Sequence, residues 1–289
     1  MNRLTVSIIL PAFNEAQAID KVIRQLVTLY PDAEVIVVDD GSTDDTAAIA
    51  REAGAMVIRH PYNIGNGAAV KSGIRKASGD VLVFMDGDGQ HDPGQIGALL
   101  DHLPEYDMVV GARPAKQQAS LGRAMGNQAY NWLASYVAKF PIKDLTSGFR
   151  AVKAEIAKKL LYLLPNSYSY PTTLTLGVLR NGMSVKYVPV DVTTRKTGKS
   201  NVRLFKDGVR FIMIITKICT LYSPFRVFLP VSFLMFLAGI SNYAYTYFLF
   251  RRFTNMSALL FMTALLVFML GLISEQICQM RFERSEIKK

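Results

Sequence analysis

Asp86, Asp88 and Gln90 stand two residues apart, directly after the apolar run Val81-Leu82-Val83-Phe84-Met85. In an extended chain, residues two apart point to the same side, so two carboxylates and an amide oxygen can converge at the end of a strand. Two nearby acidic side chains without a basic partner are best explained by a bound cation. Oxygen donors of this kind suit Mg²⁺ or Mn²⁺ completed by phosphate oxygens, so the expected guest is a metal-bound nucleoside diphosphate. Gly87 and Gly89 are expected to leave room for it. The same residues also make an ordinary Asp-Gly turn, and the surroundings decide between the two readings.

The elements that position this motif follow from hydrophobic patterning. Strands are predicted at Leu4 to Leu10, Glu34 to Val38, Met56 to Arg59, Val81 to Met85 and Met108 to Val110. Helices are predicted between them, at Ala16 to Leu29, Thr43 to Ala53, Gly67 to Ala77 and Pro93 to Leu103. Repeated strand-helix units of this length predict an α/β fold, a mostly parallel sheet with helices on both faces. In such sheets the ligand lies beyond the carboxyl ends of the strands. Pro11 to Glu15, Asp39 to Asp44, Asn63 to Gly67 and the acidic motif all fall there. After about residue 112 the alternation breaks down, and further helices with a short strand, Val185 to Val190, are expected to build the other wall of a cleft.

Asp39 and Asp40 end the second strand, where a carboxylate can accept from a ribose hydroxyl or a base amide. Helix capping is the competing role, but Ser42, Thr43 and Asp44 can supply it, so Asp39 is assigned to the ligand. Gly65-Asn66-Gly67 is weak evidence for a dinucleotide site, since position 70 is Val and the motif follows the third strand.

The chain has 289 residues, half of them hydrophobic, and a formal net charge of +10. Neither Arg226 to Arg251 nor Arg252 to Glu275 encloses a charged residue, so each stretch can cross the roughly 30 Å hydrocarbon layer as a helix. The expected spans are 227–249 and 257–280, forming a hairpin within 226–280. Basic flanks, Arg203 to Arg226 and the tail 281–289, place both ends of the hairpin in the cytoplasm, although Arg251-Arg252 votes the other way. No cleavable signal precedes the first strand, so the N-terminal domain, residues 1–200, is expected to stay where it is made. Between them, 201–225 reads as an amphipathic helix in the headgroup region, with an ordinary domain helix as the alternative. No basic-aromatic motif accompanies the positive charge, so the expected partner is anionic lipid rather than nucleic acid. Cys219 and Cys278 read as packing residues. Glu275 is either functional or a side chain reaching for the interface.

Taken in order, Pro-x-x-Asn-Glu, Asp-Asp-Gly-Ser-Thr-Asp, Asn-x-Gly-x-Gly and Asp-x-Asp-x-Gln resemble the family 2 glycosyltransferases over residues 4 to 113. Gly111-Ala112-Arg113, Asp144 to Arg150 and Arg195 to Ser200 extend the likeness to the branch that glycosylates polyprenyl phosphates. That branch includes dolichyl-phosphate mannose synthases and undecaprenyl-phosphate glucosyltransferases, and the hairpin is similar to that of its bacterial members. The resemblance implies a GT-A fold followed by an interfacial helix and a transmembrane hairpin. It implies that Pro11, Phe13, Glu15, Val37 and Asp39, with Asp86 and Gly87, line the donor pocket, and that Asp86, Asp88 and Gln90 hold the metal. Arg113, Arg123 and Arg195 would meet acceptor phosphate or donor diphosphate, with Asn127 adding a hydrogen bond and Ser200 part of the same phosphate grip. Asn201 stands where the family often has Lys, so Lys199 or Arg203 would have to substitute.

Asp88, Asp144 and Arg113 are expected to carry the chemistry. Asp144 is either a base, as for hydroxyl acceptors, or a residue orienting sugar or arginine; His91 is expected to pack behind the metal motif. A phosphate acceptor is already largely anionic at neutral pH and needs positioning rather than deprotonation. In-line attack would invert the anomeric centre. The expectation is therefore transfer of one sugar, UDP-glucose first and GDP-mannose second, to undecaprenyl phosphate on the cytoplasmic face of the inner membrane. A second copy of the chain and a downstream flippase are further partners to consider. The only tryptophan, Trp132, lies outside any Gln-x-x-Arg-Trp sequence, which argues against a processive polysaccharide synthase. A lipid-binding scaffold without activity is the alternative from a different class.

Overall fold

The computed structural model describes residues 4–113, 121–167, 169–192 and 223–286. The chain falls into two compact units, one within 1–135 and 140–202, the other within 136–139 and 203–289. The first is built on a seven-stranded sheet: β1 (Val6–Ala12), β2 (Glu34–Asp39), β3 (Met56–Arg59), β4 (Val81–Phe84), β5 (Met108–Ala112), β6 (Arg150–Lys153) and β7 (Val185–Pro189), in the order β3-β2-β1-β4-β6-β5-β7. Helices α1 (Ile19–Leu29), α2 (Thr46–Glu52), α3 (Asn66–Lys76), α4 (Ile96–Leu100), α5 (Leu121–Ala138), α6 (Ala154–Lys159) and α7 (Tyr170–Arg180) connect the strands.

The buried runs explain the sheet. All four residues of β4 are 0–1% exposed, as a central strand covered on both faces requires. The stripe Ile19, Val22, Ile23 and Leu26 is the buried face of α1. It packs in the core with Ile8, Leu10, Val83, Val109 and Phe149.

Two features depart from the sequence-based expectation. The strand at 185–189 pairs parallel to β5 and completes the same sheet instead of a separate wall. β6, which the patterning does not predict, enters antiparallel between β4 and β5. Its four residues begin with Arg150 and end with Lys153, too short and too charged to stand out as an apolar run. The consequence for the site is directional: every other strand brings its last residue to the ligand end, whereas β6 brings its first.

The second unit contains α8 (Phe225–Phe250) and α9 (Asn255–Glu286), each with 26 residues long and apolar enough to cross a membrane. Polar latches close both ends of this hairpin. Near the connecting loop, Asn242 Oδ1 accepts from Ser257 Oγ at 2.9 Å and Thr254 Oγ1 at 3.2 Å. At the opposite end, Glu275 Oε2 accepts from Ser223 Oγ at 3.0 Å and from the Phe225 backbone N–H at 3.3 Å. The carboxylate of α9 thus satisfies an orphan donor at the start of α8. We expect Glu275→Ala to destabilise the hairpin by about 1–3 kcal/mol and Glu275→Gln to lose less, read by thermal unfolding in detergent. Equal stability of Glu275→Ala and wild type would remove this role. Cys278 is buried and outside any disulfide. The expected interfacial helix at 201–225 lies outside the described residues as far as residue 222, as does Cys219, and so do the last three residues of the tail.

Candidate active site

The loops after β1 and β2 are tied together by short polar side chains. Asn14, in the left-handed region at φ 56, accepts from the Thr43 backbone N–H at 2.9 Å, while its own N–H donates to Ser42 Oγ at 2.9 Å. The Glu15 N–H donates to Thr46 Oγ1 at 2.9 Å. These bonds fix Pro11, Phe13 and Glu15 beside the end of β2, with Phe13 41% exposed.

The adjacent aspartates have separate tasks. Asp40 is consumed by structure: Oδ1 accepts from the Ile64 N–H at 3.0 Å and contacts His60 Nδ1 at 2.7 Å, and Oδ2 accepts from the Gly65 N–H at 2.7 Å. His60 in turn reaches Ser72 Oγ at 2.9 Å, which pins the loop after β3 to α3. Asp39 is fully buried and its Oδ1 accepts from the Ser42 N–H at 3.0 Å. Its Oδ2 lies 3.1 Å from Arg59 Nε without hydrogen-bond alignment, leaving a lone pair for a ligand donor. Val37, two residues earlier, is buried in the core.

Asp86, Gly87, Asp88 and Gln90 follow β4. Asp88 Oδ1 accepts from the Gln90 N–H at 3.0 Å, which closes the turn. Burial, and then the charge of Asp88, push the Asp86 carboxyl up to about 6, against a hydrogen bond from Asn66 and the charges of Arg113 and Arg150. Two neighbouring carboxylates offer oxygen donors of the kind that suits Mg²⁺ or Mn²⁺. Among the described residues no group of three or more His, Cys, Asp or Glu side chains is placed to hold a metal. The space at Gly87 is taken by the chain itself: a Cβ there would meet Ile19 Cδ1 at 3.0 Å and the Pro11 carbonyl at 3.5 Å. Gly87 thus permits close packing of the motif against β1 and α1.

Arg113, just past β5, grips Asp144 through Nε at 2.8 Å and Nη2 at 3.2 Å, and Nη2 also donates to Thr146 Oγ1 at 2.7 Å. Asp144 Oδ1 accepts in addition from the N–H groups of Thr146 and Ser147, each at 3.1 Å. Burial acts to raise the Asp144 pKa, but the Arg113 hydrogen bond and charge, with the bonds from Thr146, win and lower it. Of the two roles open to Asp144, this geometry supports orienting an arginine; a saturated carboxylate with a depressed pKa is a poor base. His91 stacks on Phe149 at 4.9 Å, and burial pushes its pKa down to about 4, so the imidazole is neutral at pH 7. It packs behind the motif.

Arg123 and Asn127 lie on α5, but their side chains are outside the described residues, as are Arg195 and Ser200 entirely. The sequence motifs include Asn66 and Arg150 but give neither a role at the site; the structure bonds Asn66 to Asp86 and buries Arg150. A charged residue between Phe149 and Ala151-Val152, at the end of the Asp144 to Arg150 motif, is the available signal for Arg150.

Comparison with known proteins bears on this arrangement. Residues 7–161, more than half of the chain, match the family model Glycosyl transferase family 2, and residues 223–280 match the model GtrB C-terminal hairpin. The chain is 29% identical over 211 residues to the polyprenol monophosphomannose synthase of Mycolicibacterium smegmatis, covering 68% of this chain and 80% of that protein. It is 26% identical over 246 residues to the undecaprenyl-phosphate 4-deoxy-4-formamido-L-arabinose transferase of Pectobacterium carotovorum, covering 81% and 73%. Among solved structures it is similar to glucosyl-3-phosphoglycerate synthase from Mycobacterium tuberculosis in complex with Mn²⁺, uridine diphosphate and glucosyl-3-phosphoglycerate, with a TM-score of 0.59, 25% identity and 74% and 78% of the two chains covered. The family model covers more than half of the chain and its fold has solved counterparts: the chain belongs to the glycosyl transferase family 2.

Proposed function

We propose that this protein is a metal-dependent, inverting glycosyltransferase that moves a single sugar from a nucleotide sugar to polyprenyl phosphate at the cytoplasmic face of a membrane. The observation that carries the reading is the pair Asp86 and Asp88 at the end of β4, in a chain that continues into an apolar hairpin. Relatives named for polyprenyl-phosphate acceptors support the lipid half of it.

Asp86, Asp88 and Gln90 would hold Mg²⁺ or Mn²⁺. Bound there, the ion supplies Lewis-acid neutralisation of the departing diphosphate. The rest falls to the chain. Asp39 Oδ2 accepts from a hydroxyl or amide of the nucleoside, and the exposed Phe13 ring offers an apolar face beside it. Asp144 and Thr146 hold the Arg113 guanidinium in one orientation, so its charge meets phosphate without reorganising. Neutral His91 contributes no proton. The acceptor, a phosphate monoester with a second pKa near 6, arrives as an anion. One of its oxygens bonds to the anomeric carbon from the face opposite the diphosphate, the bond from that carbon to the diphosphate oxygen breaks, and the configuration inverts.

UDP-glucose is the first donor to test. The mannose in the name of the M. smegmatis relative favours GDP-mannose as the second. Purified full-length protein with undecaprenyl phosphate and each donor in turn is expected to yield one lipid-linked hexosyl phosphate by mass spectrometry. Binding of metal and lipid without product from any nucleotide sugar would favour a scaffold instead.

A further inference from the structure

Arg150 occupies the ligand end of the sheet because β6 runs against its neighbours. In register it stands opposite Phe84 of β4 and Val110 of β5, and Val110 stands opposite Tyr187 of β7. Residues opposite one another across a sheet share a face, and here that face is covered by α7, whose Tyr170 meets Phe84 edge-on at 6.3 Å. Asp86 follows Phe84 by two residues. Its Oδ2 lies 3.1 Å from the point where a Cβ on Gly148 would stand, and the Tyr170 hydroxyl lies 3.4 Å from the same point. Gly148 and Tyr170 therefore border the Asp86 carboxylate, and Arg150 is tied in next to them, through Ser147 before Gly148 and Pro171 after Tyr170.

The Arg150 side chain is completely buried. Nη1 donates to the Pro171 carbonyl at 2.8 Å and Thr175 Oγ1 at 3.0 Å, Nη2 donates to the Ser147 carbonyl, and Nε has no partner among the described residues. Every bond it makes is to a neutral group. Asp144 and Asp86 are the carboxylates close enough to feel its charge, and Asp144 is already matched by Arg113 at 2.8 Å. A buried cation without a contacting anion is costly, and hydrogen bonds to carbonyls alone do not require a permanent charge. The unmatched negative charge nearby belongs to Asp86 and Asp88.

We infer that Arg150 is a positioning residue for the donor: its fixed charge near Asp86 offsets the negative charge that gathers when Asp86, Asp88 and a nucleoside diphosphate share one site. The inference rests on the donor-site reading above and adds a residue to it. Arg150 touches no reacting atom; it acts through the field at Asp86 and through its hold on Ser147, which borders the Asp144–Arg113 fork.

The test titrates Mn²⁺ with UDP, and Mn²⁺ with GDP, into the full chain in detergent by calorimetry, alongside thermal unfolding without ligand. For whichever nucleotide the wild type binds, Arg150→Met is expected to weaken binding by about tenfold or more, and Arg150→Lys, which keeps charge but not the fork, by less than about threefold. Both variants lose hydrogen bonds and should unfold at lower temperature, so melting alone does not separate the roles. Unchanged binding in both variants, or equal weakening in both, overturns the inference. Should Arg150→Met fail to fold, Arg150→Lys decides by itself: affinity within about threefold supports the charge role, and a larger loss overturns it. A wild type that binds neither nucleotide with Mn²⁺ removes the donor-site reading, and the inference with it.

Discussion

Asp88→Ala is expected to lower sugar transfer by about a thousandfold or more, because a lost Lewis-acid contact at a departing diphosphate is worth several kcal/mol and each 1.4 kcal/mol is about tenfold in rate. The side chain has two tasks, and they can be separated. Oδ1 accepts from the Gln90 N–H and closes the turn, a bond that Asn can still make through its own Oδ1. In the proposed function its charge serves the cation. Asp88→Asn should therefore keep the turn and melt like wild type while losing nearly as much transfer as Asp88→Ala. Transfer is read with radiolabelled donor and polyprenyl phosphate, and the wild type in excess chelator should fall to the same floor. Undiminished turnover in Asp88→Ala or in chelator would undo the metal assignment.

Arg113→Met is expected to cost both stability and rate. Asp144 is 3% exposed in its side chain and Arg113 33%, so removing the guanidinium leaves a buried carboxylate with only neutral donors. Breaking such a pair costs about 3–5 kcal/mol when fully buried; with one partner a third open to solvent, the lower end is expected. Arg113→Lys should recover little, because an ammonium cannot reproduce the two-pronged contact. The double variant Arg113→Met with Asp144→Leu removes both charges and should regain much of the stability without regaining transfer. Recovery of transfer along with stability would show that Arg113 serves only the fold.

The same pair sets a pH dependence whose sign follows from Asp144. Its carboxyl is held below the ordinary value, by Arg113 and Thr146 against the opposing effect of burial. A depressed carboxyl pKa contributes stability that is present above the unfolded value, about 3.9, and is lost as pH falls through the folded value. The gap in melting temperature between wild type and Arg113→Met should thus be full at pH 7 and narrow below about pH 4.

Patterning alone was enough for the parallel half of the sheet, for the strand-end position of the polar clusters and for the two apolar helices. Those features depend on local periodicity and run length, which one sequence carries in full. Asp86, Asp88 and Gln90 were legible as oxygen donors after an apolar run, but their backbone was not: the strand stops at Phe84, and the motif turns, with Asp88 accepting from the Gln90 N–H, instead of continuing as extended chain. β6 was not legible, because four residues with charged ends gain their place only by pairing with β4 and β5 on either side. The difference between Asp39 and Asp40 was only half visible. Both end the same strand, and what separates them is the loop after β3 closing on Asp40 from 24 and 25 residues away. Asp144 as an anchor for Arg113, Gly87 as a packing contact with Ile19, Glu275 as a cap for α8 and Arg150 as a buried charge all depend on partners distant in sequence. The chain by itself determined which polar clusters are present and at which end of the sheet they gather. Tertiary structure decided which of those charged groups are spent holding one another and which remain for a ligand, because burial and partner distance, unlike residue type, exist only once the chain has folded.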